Sequence, residues 1–198
     1  MIVDDASRHS DGTTRRFARA LDALLSAYDP GDAREIEFRK RMLELNREPR
    51  AVERTHFDPG HFTASAFVLS PNHDAVLLIF HRKLEKWLQP GGHIEGTDAS
   101  PEASARREIL EEVGLSDLAL PEGPSLFDID IHAIPARPRE PEHQHFDLRF
   151  LFQATSARFS ATHEVADARW AALSEVSRVT RDESVLRAVR KIGTRTRD

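Results

Sequence analysis

The 198-residue sequence contains no cysteine, which removes disulfides, thiolate zinc sites and a cysteine nucleophile from consideration. Long hydrophobic runs are missing too. No stretch approaches the ~20 apolar residues that span a bilayer, and the opening Met1-Ile2-Val3-Asp4-Asp5 lacks the apolar segment of a secretory signal. A cytoplasmic location is the expectation. Positive charge is not in excess: 28 Lys and Arg against 33 Asp and Glu give a net charge of −5. Neither nucleic acid nor an anionic membrane is therefore expected as a partner, and an anionic ligand has to be held locally, by bound metal or by nearby Arg and Lys.

Hydrophobic residues at 39% and charged residues at 31% describe a globular protein with volume for one domain and an appendage. Residues 1–12 are polar. Phe17, Leu21, Leu24, Leu25 and Tyr28 share one face of a helix starting near Thr13 and ended by Asp29-Pro30-Gly31. A second helix is predicted from Ala33, capped by Asp32, to Asn46. Ile36, Met42, Leu43 and Leu45 are its apolar positions, and Glu35–Arg39 and Glu37–Arg41 its surface pairs. This gives an N-terminal helical extension with linker over 1–59 and a main domain over 60–198. Packing on that domain is the extension's simplest role; covering a pocket or forming a homodimer are the others.

From residue 60 the pattern becomes that of strands. Phe62–Leu69 and Ala75–Phe80 flank a hairpin turn at 70–74, and Trp87-Leu88 leads into Pro90-Gly91-Gly92. Phe127, Ile129 and Ile131 alternate with Asp128, Asp130 and His132; Phe146, Leu148 and Phe150 alternate with His145, Asp147 and Arg149. Each set predicts a strand with one apolar and one polar face. A last short strand is predicted over 167–171, a short helix capped by Ser174, and a final helix over about 182–192. Together these make an α+β protein, an α/β/α sandwich on a mixed sheet.

The most informative stretch runs from Gly91 to Leu115. Ser100 is a good N-cap, Pro101 suits the first helical position and Gly114 the left-handed C-terminal position, so a helix is predicted over 101–113. Ala105, Ile109 and Val113 form its inward stripe, while Glu108, Glu111 and Glu112 share another face. Glu108 and Glu112 are like charges at i, i+4, costing roughly 0.2–0.5 kcal/mol, and Glu111 and Glu112 crowd the negative end of the helix. Such a breach of local preference marks a functional site, and a hard cation such as Mg²⁺ or Mn²⁺ would relieve it.

The same residues resemble the Nudix box, G-x5-E-x7-R-E-U-x-E-E-x-G-U, through Gly92 and the run Arg107-Glu108-Ile109-Leu110-Glu111-Glu112-Val113-Gly114-Leu115. Asp98 stands in place of the first glutamate, and eight residues rather than seven separate it from Arg107. The resemblance implies the Nudix sandwich fold over about residues 60–175. It also implies Glu108, Glu111 and Glu112 as metal ligands, with the Gly92 carbonyl a further one, and Arg107 as the residue that orients them. Asp98 either supports the loop or reaches metal through water, and Glu95 is its neighbour for that supporting role. Glu164 lies where several members carry an additional carboxylate; on its own it reads as an exposed loop acid.

Three more features are open on sequence alone. Arg149 is either a phosphate contact or a structural ion pair. His93, beside Gly92, has a better claim on substrate than His81, Arg82 or Lys83. The pair His143 and His145 with Asp147 reads either as a zinc site or as one loop histidine and a polar strand face. Trp87 and Trp170 read as core, or one of them as a stacking surface for a base or other ring. The resemblance implies metal-dependent hydrolysis of a phosphoanhydride in a nucleoside diphosphate linked to another group. A nucleotide-sensing domain is the alternative; a Nudix-related isopentenyl diphosphate isomerase is disfavoured because its chemistry uses a cysteine.

Overall fold

A computed structural model describes residues 17–82, 84–121 and 125–195. Thr13 and Lys83 lie outside them. The chain is helical over residues 17–27 (α1), then forms α2 (Ala33–Leu45), β1 (Gly60–Leu69), β2 (Ala75–His81), β3 (Lys86–Leu88), β4 (Gly91–His93) and α3 (Pro101–Val113). There follow β5 (Leu118–Ala119), β6 (Leu126–Ile134), β7 (His143–Ala154), β8 (Ala168–Ala172), α4 (Val176–Val179) and α5 (Glu183–Arg195). Local chemistry accounts for several boundaries. Ser100 Oγ accepts from the Ala103 amide (3.1 Å) and Gly114 closes α3 at φ 63°. In the β1–β2 turn, Ser70 Oγ donates to Asp74 and accepts from the Asp74 and Ala75 amides.

The mixed sheet is built on a parallel ladder between β1 and β7, running from Gly60↔Gln144 to Leu69↔Gln153. Every other ladder among the described residues is antiparallel: β2 and β4 pair with β1, β3 and β8 with β2, and β5 and β6 with β7. Alternation along β1 sorts residues to two cores. Ala64, Ala66 and Val68 join Phe146, Leu148 and Phe150 under α1, α2 and α3, where Leu21, Leu25, Met42, Ala105, Ile109 and Val113 pack. Phe67 and Leu69 face the other way, against Val185, Ala188, Val189 and Ile192 of α5. The result is the α/β/α sandwich.

Several local expectations are corrected. Gly91–His93, read as loop, is strand β4, because Gly91 and Gly92 lie against Ser65 and Ala64 of β1. The residue at the start of α4 is Glu175, with no side-chain cap, rather than Ser174. Phe127 leaves the face of Ile129, because a register shift between Leu126 and Asp128 turns it to the opposite core. Ile36 is 56% exposed. The surface pairs on α2 give way to inward ones: Glu35 is buried, Arg39 donates to the Tyr28 carbonyl and Arg41 to Gln144.

Cations from α5 draw Glu35 inward. Its carboxylate accepts from Tyr28 Oη (2.6 Å), the Gly31 amide (2.8 Å), Arg187 (2.8 Å) and Lys191 (3.0 Å). Arg187 also binds Asp128 through two nitrogens at 2.6 and 2.9 Å. Arg149 continues the chain of charges to Asp128 (3.4 Å), Asp130 (3.2 Å) and Asp147 (2.9 Å). Asp147 accepts from Thr63 Oγ1 and Ser65 Oγ of β1. The polar faces of β6 and β7 are thus buried by pairing, and α2 is tied to α5 and the sheet. Removing one member of such a network strands the others' charges, which typically costs about 3–5 kcal/mol. Glu35→Ala should lower unfolding free energy by about that amount in urea titrations; a loss within experimental error of zero would show that the network does not anchor α2.

Candidate active site

The acidic face of α3 meets the main chain of β4. Gly92 is aligned with Ala64 and so turns toward α3, and a Cβ added there would stand 2.7 Å from Glu108 Oε1. Any side chain at 92 would displace that carboxylate, so glycine lets Glu108 press against the backbone. Glu112 accepts from the Gly91 amide at 3.0 Å. The carboxylates of Glu108 and Glu112 are largely withdrawn from water, while Glu111 is exposed.

Arg107 latches this arrangement. Its guanidinium donates to both Asp98 oxygens (3.0 and 3.1 Å), to Glu108 (3.0 Å), to Glu111 (2.7 Å) and to the His93 carbonyl (2.8 Å). Asp98 is buried and also accepts from the Glu95 amide (2.8 Å) and the Ser104 hydroxyl, so it fastens the 94–99 loop to α3. The Glu95 side chain is exposed and its carboxylate is 4.0 Å from Arg107. One guanidinium does not neutralise the cluster. Burial first, and then the neighbouring charges of Glu111 and Glu164, raise the Glu108 carboxyl to about 7 against the pull of Arg107. Burial, Glu108 and Glu164 raise Glu112 to about 8 despite its bond from Gly91.

Glu164 acts at this distance because the 155–167 segment folds over the end of α3. The Thr162 amide and hydroxyl donate to the Glu112 and Glu111 carbonyls, and the Ser160 amide to Val113. These bonds satisfy carbonyls that a helix terminus leaves open and bring Glu164 beside the acidic face.

A cleft of about 570 Å³ lies on the opposite face of β4, walled by odd-numbered residues of β1 and β7 and by β6. Gly91, Gly92 and His93 border both it and the acidic site, and among the described residues the α3 glutamates do not line it. Arg149 is at its floor, 1% exposed, with its nitrogens engaged by Asp128, Asp130, Asp147 and Ser184. Gln89 donates to Ser65 Oγ, and its Oε1 has no partner among the described residues. His93 faces the cleft with His61 and His145. Burial, then neighbouring imidazoles, lower His93 to about 4 and His145 to about 2. His61, the second residue of β1, was not singled out by sequence reading; only the register His61↔His145 reveals it. Trp87 packs on Phe80 and under Arg169, and Trp170 on Phe159.

The sequence profile of the NUDIX domain matches residues 59–190. The chain belongs to the Nudix family. Solved Nudix structures share its fold. A NUDIX-family hydrolase from Clostridium perfringens is 26% identical, covering 68% of this chain and 97% of that one with a TM-score of 0.52. The C. elegans Ap4A hydrolase is 16% identical over 67% of this chain and 95% of that one (TM-score 0.54). The E. coli dihydroneopterin triphosphate pyrophosphohydrolase is 16% identical over 65% and 91% (TM-score 0.50). No curated protein matches the sequence. As a Nudix hydrolase the chain is an enzyme acting on phosphorus-containing acid anhydrides, and such hydrolases generally use divalent metals. Glu108, Glu111, Glu112 and the Gly91–Gly92 main chain fit that need: oxygen donors are gathered, Glu112 buried and Glu108 largely withdrawn from water, with a glycine where a Cβ would intrude.

The raised carboxyls set a pH dependence. In metal-free protein Glu108 and Glu112 hold protons to about pH 7 and 8, which an unfolded glutamate releases near 4.3. The folded state therefore binds more protons across this interval, and stability falls as pH rises through it. Thermal denaturation in chelator should show wild-type Tm dropping from pH 5 to 8 relative to Glu112→Gln; parallel profiles for the two proteins would exclude the buried-acid assignment.

Proposed function

We propose that this Nudix hydrolase cleaves a phosphoanhydride in a nucleoside diphosphate linked to another moiety, using Mg²⁺ or Mn²⁺. The observation that carries the reading is the pair Glu108 and Glu112, one largely withdrawn from water and the other buried, held against the Gly91–Gly92 backbone with their proton affinities raised by desolvation and by neighbouring carboxylates. Two acids drawn out of water in one place are costly unless a cation shares them.

Glu108, Glu111, Glu112 and the Gly92 carbonyl would hold the ion. A divalent cation there supplies charge to the phosphate oxygens, acidifies water and stabilises the leaving phosphate. Glu108 or Glu112 accepts the proton of the attacking water as the bridging P–O bond breaks and the leaving phosphate departs as an anion. Arg107, with its donors spread over Asp98, Glu108, Glu111 and the His93 carbonyl, positions the glutamates rather than gripping substrate. Glu164 stands by as a further acid whose charge reaches Glu108 and Glu112.

β4 pairs only with β1 among the described residues, so its free edge opens toward both the acidic face and the cleft. Phosphates would sit at the glutamates and the linked group in the cleft, where Gln89 Oε1 offers an acceptor and His93 a polar wall. Arg149 contributes by fixing the cleft floor. The substrates named for two proteins of this fold, Ap4A and dihydroneopterin triphosphate, both carry phosphoanhydrides, which is consistent with this bond class.

Purified protein should release phosphate or nucleoside monophosphate from one of a panel of nucleotide sugars, ADP-ribose, dinucleoside polyphosphates and oxidised nucleoside triphosphates, only with Mg²⁺ or Mn²⁺. Binding without turnover would make it a sensor instead. Glu112→Gln should cut turnover by orders of magnitude with unchanged circular dichroism, and near-normal turnover would refute its role. Gly92→Ala should fold, push the Glu108 carboxylate aside and raise the Mg²⁺ concentration for half-maximal activity; an unchanged Mg²⁺ dependence would remove Gly92 and Glu108 from the metal site.

A further inference from the structure

A second group of metal-ligating side chains lies across β4 from the glutamates. His61, His93 and His145 each offer a ring nitrogen, and the three atoms lie within 4.8 Å of one another. The sheet brings them together. His61 on β1 is the register partner of His145 on β7, and His93 on β4 is the partner of Thr63, two residues along β1 on the same face. Ring centroids are 4.8 Å apart for His61 and His145 and 5.2 Å for His93 with each of them.

His61 carries a further sign. It is 1% exposed, and its Nδ1 is 3.0 Å from the His56 carbonyl, a contact that requires Nδ1 to donate. Its Nε2 is then a bare lone pair, and it is buried with no hydrogen-bond partner among the described residues. An unpaired buried acceptor is costly. A histidine that donates one nitrogen to a backbone carbonyl and presents the other to a shared centre has the usual arrangement of a metal ligand.

We propose that His61, His93 and His145 form a binding site for a borderline divalent ion, with Zn²⁺ the type case, separate from the hard-cation site on α3. Imidazole donors favour Zn²⁺ over Mg²⁺, whose preferred ligands are oxygens. Nitrogens at about 2.1 Å from a tetrahedral ion stand about 3.4 Å apart, so nitrogens within 4.8 Å of one another close by up to about 1.4 Å on binding. All three residues line the cleft, so the fourth position opens into it. Three protein ligands with one open position is the pattern of sites that take an exchangeable oxygen ligand, here a phosphate, carboxylate or water oxygen of the cleft's occupant. The inference does not depend on hydrolysis.

The test is titration of untagged full-length protein with ZnCl₂ by calorimetry in excess Mg²⁺. One Zn²⁺ per chain should bind, with affinity unchanged in Glu112→Gln and weakened at least about 10-fold in both His93→Gln and His145→Gln. Both histidines are only partly buried, and circular dichroism checks that the variants fold. X-ray absorption at the zinc edge of wild-type protein, which needs no variant, should show imidazole ligands. Absence of uptake, an oxygen-only shell, or loss of binding in Glu112→Gln but not in the histidine variants would overturn the proposal.

Discussion

The parallel ladder between β1 and β7 is the constraint on which the rest of the molecule depends. Its first pair, Gly60 and Gln144, is so close that a Cβ at residue 60 would come within 1.8 Å of the Gln144 carbonyl oxygen. Glycine there lets β1 begin in register, and the register then assigns every later residue to a face. Even-numbered residues of both strands form the core under α1, α2 and α3. Odd-numbered ones begin as the polar row His61, Thr63 and Ser65 beside His145, Asp147 and Arg149, and continue as Phe67, Leu69 and Leu151 against α5. Slipping by one residue would exchange the phenylalanine core for that row.

Charge burial follows from this geometry. Asp128, Asp130, Asp147 and Arg149 lie on strands whose outer face α5 covers, so they are stable only as a network, completed by Arg187 and Lys191. The same network captures Glu35 and makes the N-terminal helices part of the main core. The α3 glutamates are different. Arg107 neutralises Asp98 and part of Glu108 and Glu111, while Glu112 has one amide donor and the repulsion of its neighbours. One buried acidic group is compensated by the protein; the other is left short of positive charge, and the difference separates scaffold from site.

Much of this was legible in the sequence where the signal is local. The bounds of α3 follow from Ser100, Pro101 and Gly114, and its inward stripe from the spacing of Ala105, Ile109 and Val113. Alternation located β6 and β7. What misled was equally specific: Glu35 and Arg39 have the spacing of a surface pair, but two cations from a helix some 150 residues further along compete for Glu35. Gly91–Gly92 looked like loop because strand pairing with Ser65 and Ala64 leaves no trace in two glycines.

By itself the sequence determined the acidic helix, its capping and the family to which it belongs, because these rest on contacts within a few turns of chain. Only the tertiary structure decided that Glu108 and Glu112 lie against a glycine backbone, that Arg149 is enclosed by three aspartates, and that His61, His93 and His145 meet. The physical reason is reach. Helix faces are set by neighbours three and four residues away, whereas desolvation and side-chain convergence depend on which strands lie next to each other, and the ladder that decides this joins residues 84 apart.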